Sequence, residues 1–360
     1  MFGMAIFGVY SREFIEGGVI HMRINRFDTD PSRREFLQAA GATALTLGLS
    51  NVAGAVDTKA PGGKPFWGVF PIGQTPVTPD NKLDLDGLAS EVKFCNRGGV
   101  AGFAWPQIAS GWSTLSEKER MDGAEAIIAA GKGGKTSVVI GVQSADPEIA
   151  TCLRYAKHAA QTGADAIIAL PPDKADDKAL IEYYKTIGAA TELPLVVQTK
   201  GDMSVDLIVD MFRQIPTMKC VKDEAGDPLA RVTEIRERTN NKLAVFSGRG
   251  VRMMLEEMRL GFSGHCPTTG LADLFQSAFD LWHAGKHREG FDMFGRIQAF
   301  ETIPGAGQYI LQARGILKED ATFRNTPGMG DGRRNAPLDD AAKKVVRDAL
   351  DQYLKPYLRA

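Results

Sequence analysis

The chain has 360 residues, of which 44% are hydrophobic and 24% charged, a globular composition long enough for one large domain and an appendage. The formal net charge of −1 gives no electrostatic basis for binding nucleic acid or an anionic membrane. The cysteines are widely spaced and form no Cys-x-x-Cys pair, so we expect no metal site: Cys95, Cys152, Cys220 and Cys266.

Residues 1–55 have the composition of an export signal. Arg33-Arg34 precede a short apolar run at residues 39–49, and Ala53-Gly54-Ala55 forms a small-x-small cleavage site. The paired arginines resemble the twin-arginine motif, with Gln38 in place of the usual lysine. Because a membrane span needs about 20 residues, the apolar run is too short to be one. The alternative is a cytosolic helix with two chance arginines.

The signal hypothesis predicts a mature N-terminus near Val56 in the periplasm. It also predicts the twin-arginine export machinery as a partner. Because that route carries folded proteins, the fold would form in the reducing cytosol, where disulfides are disfavoured. Met1 and Met22 are both plausible starts of the chain.

After residue 56, short apolar runs alternate with longer amphipathic stretches. The strand candidates are residues 66–71, 102–106, 137–141, 166–170, 195–198, 218–222, 244–247 and 264–266. Helical patterns follow them at residues 85–96, 117–130, 148–161, 178–190, 205–214, 229–238, 251–260 and 271–284.

This alternation predicts an α/β fold, a (β/α)8 TIM barrel at residues 56–285 with a C-terminal helical region at residues 286–360. A doubly wound open sheet is the alternative. That fold normally carries a phosphate-binding glycine loop after its first strand, and we find no such cofactor motif. We therefore expect no cofactor.

The strand ends hold the candidate chemistry, because active sites of barrels lie at the carboxyl ends of the strands. Lys222 ends the sixth barrel strand and shares a face with Cys220 and Met218. If that face points inward, desolvation would disfavour the ammonium form and lower the pKa of Lys222. A neutral amine can attack a ketone and form an iminium. From the residues alone, a solvated or salt-bridged lysine is the simpler interpretation.

The order and spacing of several segments resemble a known family. Gly68-Val69-Phe70-Pro71, Leu193-Pro194-Leu195-Val196-Val197 and Val221-Lys222-Asp223-Glu224-Ala225-Gly226-Asp227 resemble strands of the dihydrodipicolinate synthase / N-acetylneuraminate lyase family. The likeness covers most of residues 64–320. It implies a lyase of the class I aldolase type, with Lys222 as Schiff-base residue and a small 2-keto acid as substrate. It also implies a homo-oligomer, a tetramer or a dimer.

The chain departs from the family pattern where protons are moved. The family's second strand ends in a glycine-threonine-threonine-glycine turn, and this chain has Gln107-Ile108-Ala109-Ser110-Gly111. The fifth strand ends in tyrosine-asparagine, the tyrosine being the acid/base partner of the lysine, and here Gln198-Thr199 stand there. The carboxylate-binding arginine falls near Met203. The family's proton relay therefore cannot be carried over.

Substitutes for the lost groups are sought at other strand ends. His265 closes the last strand and can titrate near neutral pH, so it is the candidate acid/base; a structural histidine is the alternative. Candidates for substrate binding, with packing or helix capping as the alternative, are Gln198, Thr199, Ser247, Ser110 and Ala109.

Two functions remain open. The first is a Schiff-base lyase that cleaves, condenses or dehydrates a 2-keto acid, and that we do not expect to be an efficient dihydrodipicolinate synthase. The second is a non-catalytic barrel that binds a small organic acid or serves as an assembly module. The retained Lys222 favours the enzyme, because a reactive lysine is costly to bury. The missing tyrosine favours the binder.

Overall fold

The computed structural model describes residues 64–145, 149–248, 250–324 and 338–360. The predicted export signal at residues 1–55 lies outside these ranges. Within them, no helix has both the length and the apolar character that a membrane crossing requires.

Eight parallel strands close into a (β/α)8 barrel, which confirms the predicted fold. The first barrel strand, Gly68–Val69, pairs with the last, Gly264–His265, and the strands from Gly102–Trp105 to Gly264–His265 pair successively in sequence order. Backbone bonds of 3.0 Å from Gly73 N to Ala104 O and from Ala104 N to Pro71 O complete the ring. The barrel strands are β1 (Gly68–Val69), β3 (Gly102–Trp105), β4 (Ser137–Gly141), β5 (Ala166–Ala169), β6 (Leu195–Gln198), β7 (Met218–Asp223), β8 (Ala244–Ser247) and β9 (Gly264–His265). A separate antiparallel pair joins β2 (Pro76–Val77) to β10 (Thr322–Phe323).

Helices follow the barrel strands and cover them. Several begin at a side chain that accepts a hydrogen bond from a free backbone N–H of the first turn, such as Asp84, Ser116 and Ser204. The Ser116 cap is reciprocal, because Glu119 also accepts from the Ser116 N–H at 2.9 Å. These helices are α1 (Leu85–Gly98), α2 (Glu117–Gly131), α3 (Ile149–Thr162), α4 (Asp177–Ala189), α5 (Val205–Gln214), α6 (Pro228–Arg238), α7 (Met254–Leu260) and α8 (Ala272–His283).

The apolar residues of the strands form two separate clusters. One fills the barrel interior and includes Val196, Cys220 and Phe246. The other lies between strands and helices and includes Val221 and Val245. Because side chains alternate along a strand, residues of one parity face the interior and their neighbours face the helices. This parity decides which polar residues at the strand ends line the mouth of the barrel.

The C-terminal helices are anchored to the barrel through Asp273 of α8. Buried Arg314 places Nη1 2.7 Å from Asp273 Oδ1 and Nη2 2.9 Å from Oδ2. The backbone N–H of Arg359 donates to the same carboxylate at 2.9 Å. The helices are α9 (His287–Glu301), α10 (Ala306–Ala313) and α11 (Asp340–Ala349), the last followed by a π-helical turn, Leu350–Leu354. The predicted domain division at residues 285 and 286 falls between α8 and α9 and stays a prediction.

Candidate active site

Lys222 lies inside the barrel near the carboxyl ends of three neighbouring strands. It follows Cys220 by two residues, and Cys220 belongs to the interior cluster. It pairs with Gln198 of β6 on one side and with Phe246 of β8 on the other. Only 5% of Lys222 is exposed. Active sites of barrels lie at the carboxyl ends of the strands, where this side chain stands.

Lys222 shares its site with a carboxylate that the sequence analysis did not single out. Lys222 Nζ lies 3.1 Å from Glu224 Oε1. Gln198 Nε2 donates a hydrogen bond to Glu224 Oε2. The Gln198 amide oxygen is buried and has no hydrogen-bond partner within the described part of the chain. We call Lys222, Glu224 and Gln198 the lysine cluster.

Thr199 holds the turn that carries Glu224. Its hydroxyl accepts hydrogen bonds from the N–H groups of Glu224, at 2.8 Å, and of Ala225, at 3.0 Å, and donates to Asp223 at 2.8 Å. Asp223 faces the helices, where Arg231 Nε lies 3.1 Å from its carboxylate. Burial raises the pKa of Asp223, and Arg231 and the Thr199 hydroxyl reduce that shift. Thr199, predicted to bind substrate, thus contacts the backbone and orients Glu224; substrate binding by Thr199 stays a prediction.

Gly248, directly after β8, leaves room for the lysine cluster. A Cβ at this position would overlap Lys222 Cε and Glu224 Oε1. Sequence reasoning assigned no role to Gly248 or Glu224. The sequence did contain a signal for Glu224. It follows Lys222 by two residues, and side chains two residues apart on a strand point to the same face.

Ser110 and Ala109 lie at the end of β3. The Ser110 hydroxyl donates to Gly73 O at 2.6 Å and accepts from Gln107 N–H at 3.0 Å, so it ties the loop after β1 to the loop after β3. Ala109 packs against the interior cluster. No described contact joins either residue to Lys222, and their predicted role in substrate binding stays a prediction.

Ser247 and His265 face the helices rather than the interior. They are partners across β8 and β9, and they have the same parity as Val245 of the outer cluster. Ser247 Oγ donates to Glu257 Oε1 of α7 at 2.6 Å, and His265 Nε2 lies 3.2 Å from Glu257 Oε2. All three are buried, and we call them the Glu257 cluster.

The structure therefore brings Ser247 and His265 together with each other and not with Lys222. Their strands end one residue after the last interior position, which turns the final side chain outward. The His265 ring lies 6.0 Å from that of Phe279, between barrel and helices. A catalytic role for His265 and a substrate contact for Ser247 stay predictions that this placement does not favour.

Comparison with known proteins gives a family match over much of the chain. Residues 65–297 match the Dihydrodipicolinate synthetase family. The 4-hydroxy-tetrahydrodipicolinate synthase of Methanosarcina mazei is 30% identical over 191 residues, which cover 51% of this chain and 63% of that protein. This chain thus spans less than two thirds of that relative's length.

Solved structures share the fold. Dihydrodipicolinate synthase from Rhodopseudomonas palustris superposes with a TM-score of 0.67 at 22% identity, covering 79% of this chain and 97% of that one. N-acetylneuraminate lyase from Mycoplasma synoviae gives a TM-score of 0.68 at 19% identity, covering 81% and 98%. At such identities the likeness establishes the barrel fold.

Proposed function

Since the chain belongs to the dihydrodipicolinate synthetase family, we propose that it is a lyase whose Lys222 forms a Schiff base with a 2-keto acid. The observation that carries the proposal is the buried amine of Lys222 at the carboxyl ends of the strands, 3.1 Å from a carboxylate. An iminium formed there withdraws electrons from the neighbouring carbon, so that a C–C bond can form or break or water can be lost. The matched relatives are synthases and a lyase by name, which agrees with this class.

Trapping of the imine tests the proposal. Pyruvate and other 2-keto acids, each with borohydride, should add mass to Lys222, read by peptide mass spectrometry. Lys222→Ala should abolish the adduct, and Lys219→Ala, on the same strand but half-buried, is the matched control that should keep it. Labelling spread over surface lysines with Lys222 unmodified would count against the proposal.

The protein is not an efficient dihydrodipicolinate synthase in this proposal. Gln198 stands where the family has its acid/base tyrosine, and an amide cannot exchange a proton near neutral pH. The family's carboxylate-binding arginine is missing as well, since Met203 lies near its position, so a semialdehyde that bears a carboxylate is held less well. A coupled assay on pyruvate and aspartate semialdehyde, beside a relative that has the tyrosine, should give much lower turnover. Comparable turnover would overturn this part of the proposal.

A binding protein without catalysis is the second candidate. The Lys222–Glu224 ion pair favours it, because an amine held by a carboxylate at 3.1 Å is not free to attack a ketone. Such a barrel would hold a small organic acid without a covalent bond. Tight binding of a keto acid that leaves no adduct on Lys222 would support this candidate over the lyase.

We also propose export to the periplasm and a homo-oligomeric state, dimer or tetramer. Export is supported by Arg33-Arg34 and by the small residues at 53–55. Changing both arginines to lysine should leave the precursor in the cytosol, whereas unchanged processing near Val56 would contradict the proposal. Light scattering of the purified protein gives the oligomeric state.

A further inference from the structure

Few groups that face Lys222 can exchange a proton. The interior positions at the neighbouring strand ends, within the described ranges, are Gln198 on β6, Gly248 after β8 and Cys266 after β9. An amide does not titrate near neutral pH. Burial raises the pKa of the Cys266 thiol to about 12, so Cys266 keeps its proton. The Glu224 carboxylate, two residues beyond Lys222, is the group left at this end of the barrel that can accept and return a proton.

The position of Glu224 is set from the end of β6. Gln198, at the end of β6, donates to Oε2, which leaves Oε1 directed at Lys222 Nζ at 3.1 Å. The hydroxyl of Thr199, the residue directly after β6, accepts a hydrogen bond from the backbone N–H of Glu224 at 2.8 Å. A general base must lie about 2.6–3.2 Å from the proton's donor atom, and Oε1 meets that condition. A fifth of the Glu224 side chain is exposed, so it also reaches the space in which a substrate would sit.

We propose that Glu224 is the catalytic acid/base of the lysine site and that Gln198 is its positioning residue. The inference rests on the proposed Schiff-base function. The amide of Gln198 occupies the strand end where the resembled family carries its tyrosine. The proton-transfer role therefore moves from the end of β6 to the turn after β7, where it is performed by a carboxylate.

The proton steps balance. Glu224 takes one proton from the Lys222 ammonium, which leaves a neutral amine and a carboxylic acid. The amine attacks the keto carbon, and Glu224 returns its proton to the carbonyl oxygen to give a carbinolamine. Glu224 then removes a proton from the bound nitrogen and delivers it to the hydroxyl, which leaves as water. The products are the iminium on Lys222, one water molecule and the regenerated carboxylate.

Glu224→Gln tests this role because it keeps the shape of the side chain and removes its titration. The measurement is the rate of adduct formation on Lys222 in a single turnover, with pyruvate plus borohydride and with pentane-2,4-dione, which forms a stable enaminone with an active lysine. We expect Glu224→Gln to be slower by about 100- to 10,000-fold.

Two further variants separate chemistry from packing. Formate should restore part of the rate in Glu224→Ala, because a small carboxylate can enter the space that the side chain leaves. Gln198→Leu should slow adduct formation in the parent protein and have little further effect in Glu224→Gln, because Gln198 acts through Glu224.

The outcomes are distinct. Adduct formation by Glu224→Gln at the parental rate overturns the role of Glu224 and leaves the Schiff-base proposal standing. A parent protein that forms no adduct on Lys222 with either probe overturns the Schiff-base proposal and this inference with it. If Glu224→Gln does not fold, the formate experiment decides: rescue supports the role, and a slow rate that formate leaves unchanged overturns it.

Discussion

The lysine cluster and the Glu257 cluster use the same kind of arrangement on opposite faces of the barrel wall. In each, a carboxylate lies between two polar side chains from strand ends: Glu224 between Lys222 and Gln198, and Glu257 between Ser247 and His265. Glu224 keeps 20% of its side chain exposed, against 7% for Glu257. The first cluster faces the interior and can meet a substrate. The second is enclosed by helices, so we expect it to stabilise the fold rather than to take part in chemistry.

Among changes that keep the residues of both clusters or alter only the Glu257 cluster, the largest effect should come from filling the space beside the lysine cluster. In Gly248→Ala the new Cβ would overlap Lys222 Cε and Glu224 Oε1, so both groups must move. A displacement of about 1 Å can cost about 100-fold in rate, and we expect a loss of that order in adduct formation on Lys222. Gly295→Ala on α9 is the matched control, because a Cβ there meets no atom within 4 Å. Equal rates in the two variants would mean that the cluster is not confined as described.

Glu257→Leu tests the other side of the comparison. Ser247 Oγ would lose the acceptor that lies 2.6 Å away, in a buried position. Leaving a buried polar group without its partner costs about 1–3 kcal/mol, so the free energy of unfolding in urea should fall by that amount. Adduct formation by the folded variant should stay within about twofold of the parent. Unchanged stability with a large loss of rate would instead support the catalytic role predicted for His265.

A third carboxylate, Glu91 on α1, sharpens the comparison. It is fully buried, and no cation among the described residues lies within ion-pair distance of it. Burial raises its pKa to about 8, although bonds from Thr269 and the Gln74 N–H oppose the shift. Between the usual value of 4.5 and about 8 the unfolded chain has lost the proton that the folded chain keeps. Stability should therefore fall as pH rises, by about 1.4 kcal/mol per pH unit for this group.

Glu91→Gln should remove that contribution. We measure the free energy of unfolding of the parent and the variant at about pH 6 and about pH 7. The change between the two pH values should be larger in the parent by about 1.4 kcal/mol. Leu88→Val, on the same helix, is a control that should lower stability equally at both pH values. Parallel slopes for the parent and Glu91→Gln would show that Glu91 titrates near its ordinary pKa.

Much of the fold was predictable because it depends on local patterns. Each of the eight strand candidates overlaps an observed barrel strand, and the helix predicted at residues 205–214 has those bounds in the structure. Such periodicity is set by residues close in sequence. The first strand, β1, was the least accurately bounded: residues 66–71 were predicted, whereas only Gly68–Val69 pair with β9 from the far end of the barrel sequence. The site was predictable only in part: Lys222 and Gln198 lie together, but Glu224 was not recognised.

The sequence by itself determined the alternation of strands and helices, the family resemblance and the place of Lys222 at a strand end. Only the tertiary structure decided which strand-end side chains share the mouth of the barrel. Lys222 is the last residue but one of its strand and His265 is the last of its own. The pairing of Lys222 with Phe246 directs Lys222 inward, and the pairing of Ser247 with His265 directs His265 outward. The physical reason is the two-residue period of a strand, because a shift of one residue moves a side chain to the opposite face. Pairing between distant strands fixes that choice.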